Sequence, residues 1–201
     1  MSRRILPAAA AALALGACAS TPTKLYTLDP VAPAAPLQPA RAVPPVRVDA
    51  VHIPPNLDRP EIVQETGANR IVLHDFAEWS APLGAQMRRT LTQDLAARLP
   101  LGAVTYPDAP KPPLGRGIVV DILALGHDGA NATMDVSWTL TVAPRAPAAG
   151  PLGGAPSPIA YTGRTLRVTA PSAGGGPASV PADISALLGR LSDSIAADLS
   201  R

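Results

Sequence analysis

Cys18 is the only cysteine in this 201-residue chain. No intrachain disulfide can form, so whatever folds must be held by burial of apolar side chains alone. The position of the thiol narrows the reading further. Arg3 and Arg4 form a short positive start, Ile5–Leu15 is an apolar run of Ala and Leu, and Gly16 and Ala17 are small. This is the tripartite layout of a secretory signal over residues 1–17. The run is shorter than the ~20 residues that a membrane-spanning helix needs.

Leu15-Gly16-Ala17-Cys18 resembles the bacterial lipobox. In lipoproteins with that motif Leu15, Gly16 and Ala17 would be read by the signal peptidase. Cys18 would carry a diacylglycerol on its sulfur and an acyl chain, such as palmitate, on its new amino terminus. An ordinary signal peptide would leave Cys18 an exported lone thiol open to oxidation. A lipid removes that difficulty, and several chains at roughly 0.8 kcal/mol per buried CH₂ give stable anchoring. Ala19 follows the cysteine. By resemblance to enterobacterial sorting this favours the periplasmic face of the outer membrane over the inner one.

Removing residues 1–17 takes away Arg3 and Arg4 and no acid, which balances a chain that has 17 Lys+Arg and 15 Asp+Glu. No basic patch of the kind that binds nucleic acid is evident. The length suits one domain. Pro30–Pro45 holds six prolines and no glycine, and predicts a semi-rigid polyproline spacer. Residues 144–158 and 170–179 are Pro/Gly/Ala-rich and predict loops. The expected organisation is a signal peptide (1–17), a lipid-anchored N-terminus and spacer (18–45, with 24–28 as a candidate first strand), and a folded domain (46–201).

Within that domain, residues 133–143 alternate. Met134, Val136, Trp138, Leu140 and Val142 face one way, and Asp135, Ser137, Thr139 and Thr141 the other. This predicts a half-buried strand. Residues 117–126 predict its neighbour, and the Asp-Gly and Asn of "HDGANA" the hairpin between them. Residues 46–53, 159–170 and 69–79 read as further strands. Ser80 is placed to cap a helix with Pro82 in its opening turn. Leu83, Met87, Leu91 and Leu95 form its apolar stripe, Arg88, Gln93 and Arg98 point outward, and Pro100 ends it. A second stripe from about Pro181 carries Ile184, Leu187, Leu188, Leu191, Ile195 and Leu199. The expected fold class is α+β: a mainly antiparallel sheet with two amphipathic helices packed on one face.

The chemistry-bearing residues are sparse. His52, His74 and His127 lie in no metal-ligand spacing, and no nucleophile elbow or phosphate loop occurs. Asp58 and Glu61 flank Arg59 closely, which reads more simply as a surface turn than as paired carboxylates. No catalytic residue, metal or dissociable cofactor is expected, the lipid on Cys18 apart.

One set of positions carries a family resemblance: Tyr26 and Leu28; Pro54, Leu57, Arg59 and Pro60; Asn69 and Arg70; Trp79, Pro82 and Leu83. Together they resemble the ABC-type transport auxiliary lipoproteins, the PqiC-like proteins of Gram-negative bacteria. The loop at 144–158 is longer than the family pattern. The resemblance implies a non-enzymatic partner of MCE-type systems that move lipids between the two membranes, docking to the periplasmic MCE protein. Leu57, Arg59 and Ile62 are the expected contact residues, the first and last packing while Arg59 offers a planar donor fork. A rigid connection locked by Pro54, Pro55 and Pro60 is the competing reading of the same segment. A lipid carrier that binds phospholipid itself, a structural envelope lipoprotein and a homo-oligomer stay open.

Overall fold

The computed structural model describes residues 21–33, 43–65, 69–110, 115–128, 130–142 and 160–200. The lipobox and the 144–158 loop lie outside them. Ten elements follow in order: β1 (Lys24–Tyr26), β2 (Val46–His52), β3 (Glu61–Glu65), β4 (Ile71–Trp79), α1 (Leu83–Ala96), β5 (Val104–Thr105), β6 (Arg116–Asp128), β7 (Asn131–Val142), β8 (Ala160–Pro171) and α2 (Ser179–Leu199). The class is α+β.

The strands form two sheets. A five-stranded sheet runs β5-β2-β6-β7-β8, and a three-stranded one runs β1-β4-β3. The pairing is mainly antiparallel, as expected, but the sheets are mixed and not purely so, because β1∥β4, β2∥β5 and β2∥β6 are parallel. Parallel neighbours need a long crossover. Here the chain leaves β2, builds β3, β4 and α1, and returns as β5. The antiparallel half is as expected: β6 and β7 close at Asp128↔Asn131, and β8 pairs along the whole of β7.

The alternation in β7 holds as far as Trp138, after which Leu140 is partly buried and Val142 is exposed. Ala132, Met134, Val136 and Trp138 are buried, while Asp135 on the other face is held by both oxygens to Arg167 at 2.6 and 2.7 Å. Ile118, Val120 and Ile122 of β6 and Val46 and Val48 of β2 extend the same apolar face. Both helices cover it. Met87, Leu91 and Leu95 of α1 and Leu187, Leu188, Leu191 and Ile195 of α2 are buried there. A fully buried Leu or Ile is worth about 1.5–3 kcal/mol, so this layer dominates stability.

Two local expectations change. Ser80 does not cap α1; Pro82 occupies the cap position without a side-chain bond. The Ser80 amide instead donates to the Tyr26 carbonyl at 2.8 Å, which ties β1 to the start of the helix. Arg98 does not point outward. It is buried beyond the end of α1, because its guanidinium meets acidic and carbonyl oxygens that no local pattern places there.

Candidate functional site

The N-terminal segment is part of the fold. β1 lies beside β4, with Lys24↔Ala77, Leu25↔Glu78 and Tyr26↔Trp79 in register. Beyond it, residues 27–33 form a strap across α1 and α2 whose backbone is bound by side chains. Gln86 Oε1 accepts from the Leu28 amide (3.1 Å), Ser185 Oγ from Asp29 (3.1 Å) and Asp94 Oδ1 from Val31 (2.7 Å). Arg98 Nη1 donates to the Val31 carbonyl at 2.9 Å, and Arg98 Nε to Asp193 Oδ1 at 2.6 Å. Val31 also crowds α2 at Gly189, where a Cβ would come within 2.9 Å of the valine. A helix-interior glycine costs about 1 kcal/mol relative to alanine, and here it makes room for the strap. The folded domain thus starts at about Lys24 and not at residue 46. Pro30 and Pro33 belong to the strap, and residues 34–42 of the expected spacer lie outside the described residues.

Burial pushes the Asp94 carboxyl up to about 6, against the pull of the Val31 amide and Arg98, with Asp193 adding to the rise. Its Oδ2 is buried without a hydrogen-bond partner.

The segment 54–63 turns tightly. Leu57 N donates to Pro54 O (2.9 Å) and Trp79 N to Pro60 O (2.7 Å). Leu57 and Ile62 are turned into the core. Of the three expected contact residues, Arg59 is presented outward, where its Nε meets Glu61 Oε2 at 2.8 Å. That hydrogen bond holds the Glu61 carboxyl below its usual range. The carboxylates of Asp58 and Glu61 are not a working pair, since Arg59 takes the second one.

β4 is unlike every other strand of the fold. Ile71, Val72 and Leu73 are successive and all exposed, so both faces of this half are open. Between Val63↔Leu73 and Glu61↔Glu78 the register slips, and the extra β4 residues bulge out. Phe76 sits in that bulge at φ 57°, a left-handed value that is strained for a bulky residue. It is the only phenylalanine of the chain and is 51% exposed. Leu25 of β1, level with Glu78 on the outer side, is 65% exposed.

A small cleft lies between β3, the β6–β7 hairpin and α2, lined by Leu57, Trp79, Leu125, His127, Ala132 and Leu187, with a volume of ≈ 40 Å³. A water needs roughly 10–15 Å³ on that measure, so the cleft holds a few waters and no lipid chain. At its rim His127 Nε2 meets Asp183 Oδ2 at 3.0 Å, and Ser172 Oγ meets the same oxygen at 3.0 Å. The serine engages the carboxylate and not the imidazole, so no nucleophile relay is assembled. His52 pairs with Asp121, and His74 with Gln64. Among the described residues no group of three His, Cys, Asp or Glu could hold a metal ion.

Sequence reasoning missed the strap clamp and Phe76. Gly189 inside an apolar helical stripe was a signal for the first, and an apolar run holding the sole phenylalanine for the second.

No helix among the described residues is long and apolar enough to cross a membrane. Two solved structures resemble the fold. A crystal structure of an uncharacterised protein aligns with 18% identity over 90% of this chain and 100% of that one, at a TM-score of 0.65. Protein XCC0632 from Xanthomonas campestris, of the DUF330 family, aligns with 12% identity over 89% and 95% of the two chains, at a TM-score of 0.59. At these identities the likeness is one of fold. No curated protein matches the chain. The model of one family spans strap, both sheets and most of α2, from residue 26 to residue 196, and on that ground the chain belongs to the ABC-type transport auxiliary lipoprotein components.

Proposed function

We propose that the chain works as a tethered docking component of an MCE-type ABC system that moves lipids between membranes. Acylated Cys18 holds it to the periplasmic face of the outer membrane, and its domain receives the periplasmic MCE protein. The observation that carries this reading is the family match over residues 26–196, a family of transport auxiliaries and not of enzymes. The site geometry supports it. The described residues offer a braced N-terminus, an outward arginine on a rigid turn and exposed apolar groups.

Two measurements test it. Cys18→Ser is expected to leave an uncleaved precursor that takes up no fatty acid; mature membrane-bound protein from that variant would refute the anchor. A photo-reactive residue at position 59 is expected to crosslink an MCE-domain protein in intact cells. Crosslinks only to unrelated envelope proteins, with the domain folded and acylated, would refute the docking role.

A further inference from the structure

We infer that the outer half of β4, Ile71–Phe76, is a membrane-contacting finger that dips into the phospholipid surface holding this chain's own anchor. The inference rests on the acylation of Cys18.

The argument begins with the direction of one strand. β1 is parallel to β4, with Lys24 level with Ala77. Followed backwards from Lys24, the chain therefore heads toward the Phe76 and Ile71 end of β4. Six steps separate Cys18 from Lys24, and an extended chain covers ~3.3–3.6 Å per residue, so the lipid lies within roughly 20 Å of Lys24. The same number of steps runs from Ala77 back to Ile71, at ~3.3 Å each in a strand, again roughly 20 Å. The anchor cannot lie far beyond the tip of the finger. A membrane that holds the lipid is therefore within reach of Ile71–Phe76.

The residues at that place suit a lipid surface. Ile71, Val72, Leu73 and Phe76 are all exposed, whereas most other large apolar side chains among the described residues are buried. β1 pairs with Ala77–Trp79 only, so it does not cover them. Because Ile71 and Leu73 point opposite to Val72, both faces of the finger are apolar. A docked protein face would cover one of them; lipid surrounds both. Arg70 and Lys24 are exposed beside it, where phosphate headgroups would lie, and Asp75 is the exposed acid within it. Phe76 is pushed out on strained backbone, which costs stability that an aromatic at the membrane interface can recover. Together with the acyl chains, the finger would fix which way the domain faces, not only where it is moored.

The test uses the full acylated protein, purified from membranes and reconstituted in phosphatidylethanolamine–phosphatidylglycerol vesicles. With the Cys18 sulfur in a thioether, a cysteine introduced as Phe76→Cys is the sole free thiol and takes an environment-sensitive fluorophore. Leu73→Cys serves as a second site should the first fold poorly, and Tyr106→Cys as the exposed control. The expected result is a blue shift and quenching by nitroxide-bearing lipids at 76 or 73, with neither at 106. Quenching at 76 and 73 by aqueous iodide alone, with Cys18 acylated by mass, would overturn the finger and leave the anchor standing. Protection from both quenchers would mean a protein covers the site and would overturn it equally. An unmodified Cys18 by mass would instead remove the premise, and the finger with it.

Discussion

β7 and β4 are both apolar strands, yet they are built on opposite terms. β7 has a neighbour on each side and two helices over one face, so its side chains must alternate and its buried half cannot change. β4 is paired by β1 over three residues and slips out of register with β3, and Ile71, Val72, Leu73 and Phe76, most of its apolar residues, face water. The five-stranded layer is shaped by stability. The small sheet gives up burial and regular backbone, which is what a contact surface requires.

The largest test of this contrast is a charge placed in each region. Leu191→Asp is expected to unfold the domain, a loss beyond about 4 kcal/mol, because the carboxylate has no partner in the layer. Leu73→Asp is expected to change stability by no more than about 0.5 kcal/mol. Equal losses in urea melts would erase the distinction. Next, Arg98→Ala should cost about 3–5 kcal/mol, since it leaves buried Asp94 and the Val31 carbonyl uncompensated. Limited proteolysis should then cut the strap first. A cut elsewhere would mean the strap is held without the arginine.

Asp94 sharpens the same point through pH. Its folded pKa of about 6 lies above the ordinary value of 3.8, so the folded state binds the extra proton between them. Stability from this group is full below about pH 4 and is lost as pH rises through 6. Asp94→Asn should therefore exceed the wild type by about 1–2 kcal/mol at neutral pH, after discounting for solvent screening, and match it near pH 4. A constant gap across that window would assign the effect to another group. A gain and not a loss is expected from Phe76→Gly. Glycine accepts the left-handed backbone, so denaturant stability should rise by up to about 1 kcal/mol while vesicle contact falls. A loss of stability would mean that Phe76 packs and is not displayed.

How much of this was legible follows from the same contrast. β2, β6, β7, β8 and both helices could be read because one-sided burial imposes a period on the sequence. β5 is two residues long and has no period to read. β3, "EIVQE", buries both Ile62 and Val63, which breaks alternation, and so it was read only as part of a contact segment. The parallel pairings are set by crossover and leave no local mark. Arg98 reads as a surface residue because Asp193, its partner, stands far along the chain. The turn at Pro54–Pro60 was recognised, but which of its side chains turn inward depended on a core that no spacing reveals.

The strap also decides how the molecule bears tension. A pull on the amino-terminal end passes through β1 into β4 and then, by way of Gln86, Asp94, Arg98 and Ser185, into both helices at once. The load is thereby handed to the helices of the layer that dominates stability. Force that frees this end must first break the strap's bonds to both helices.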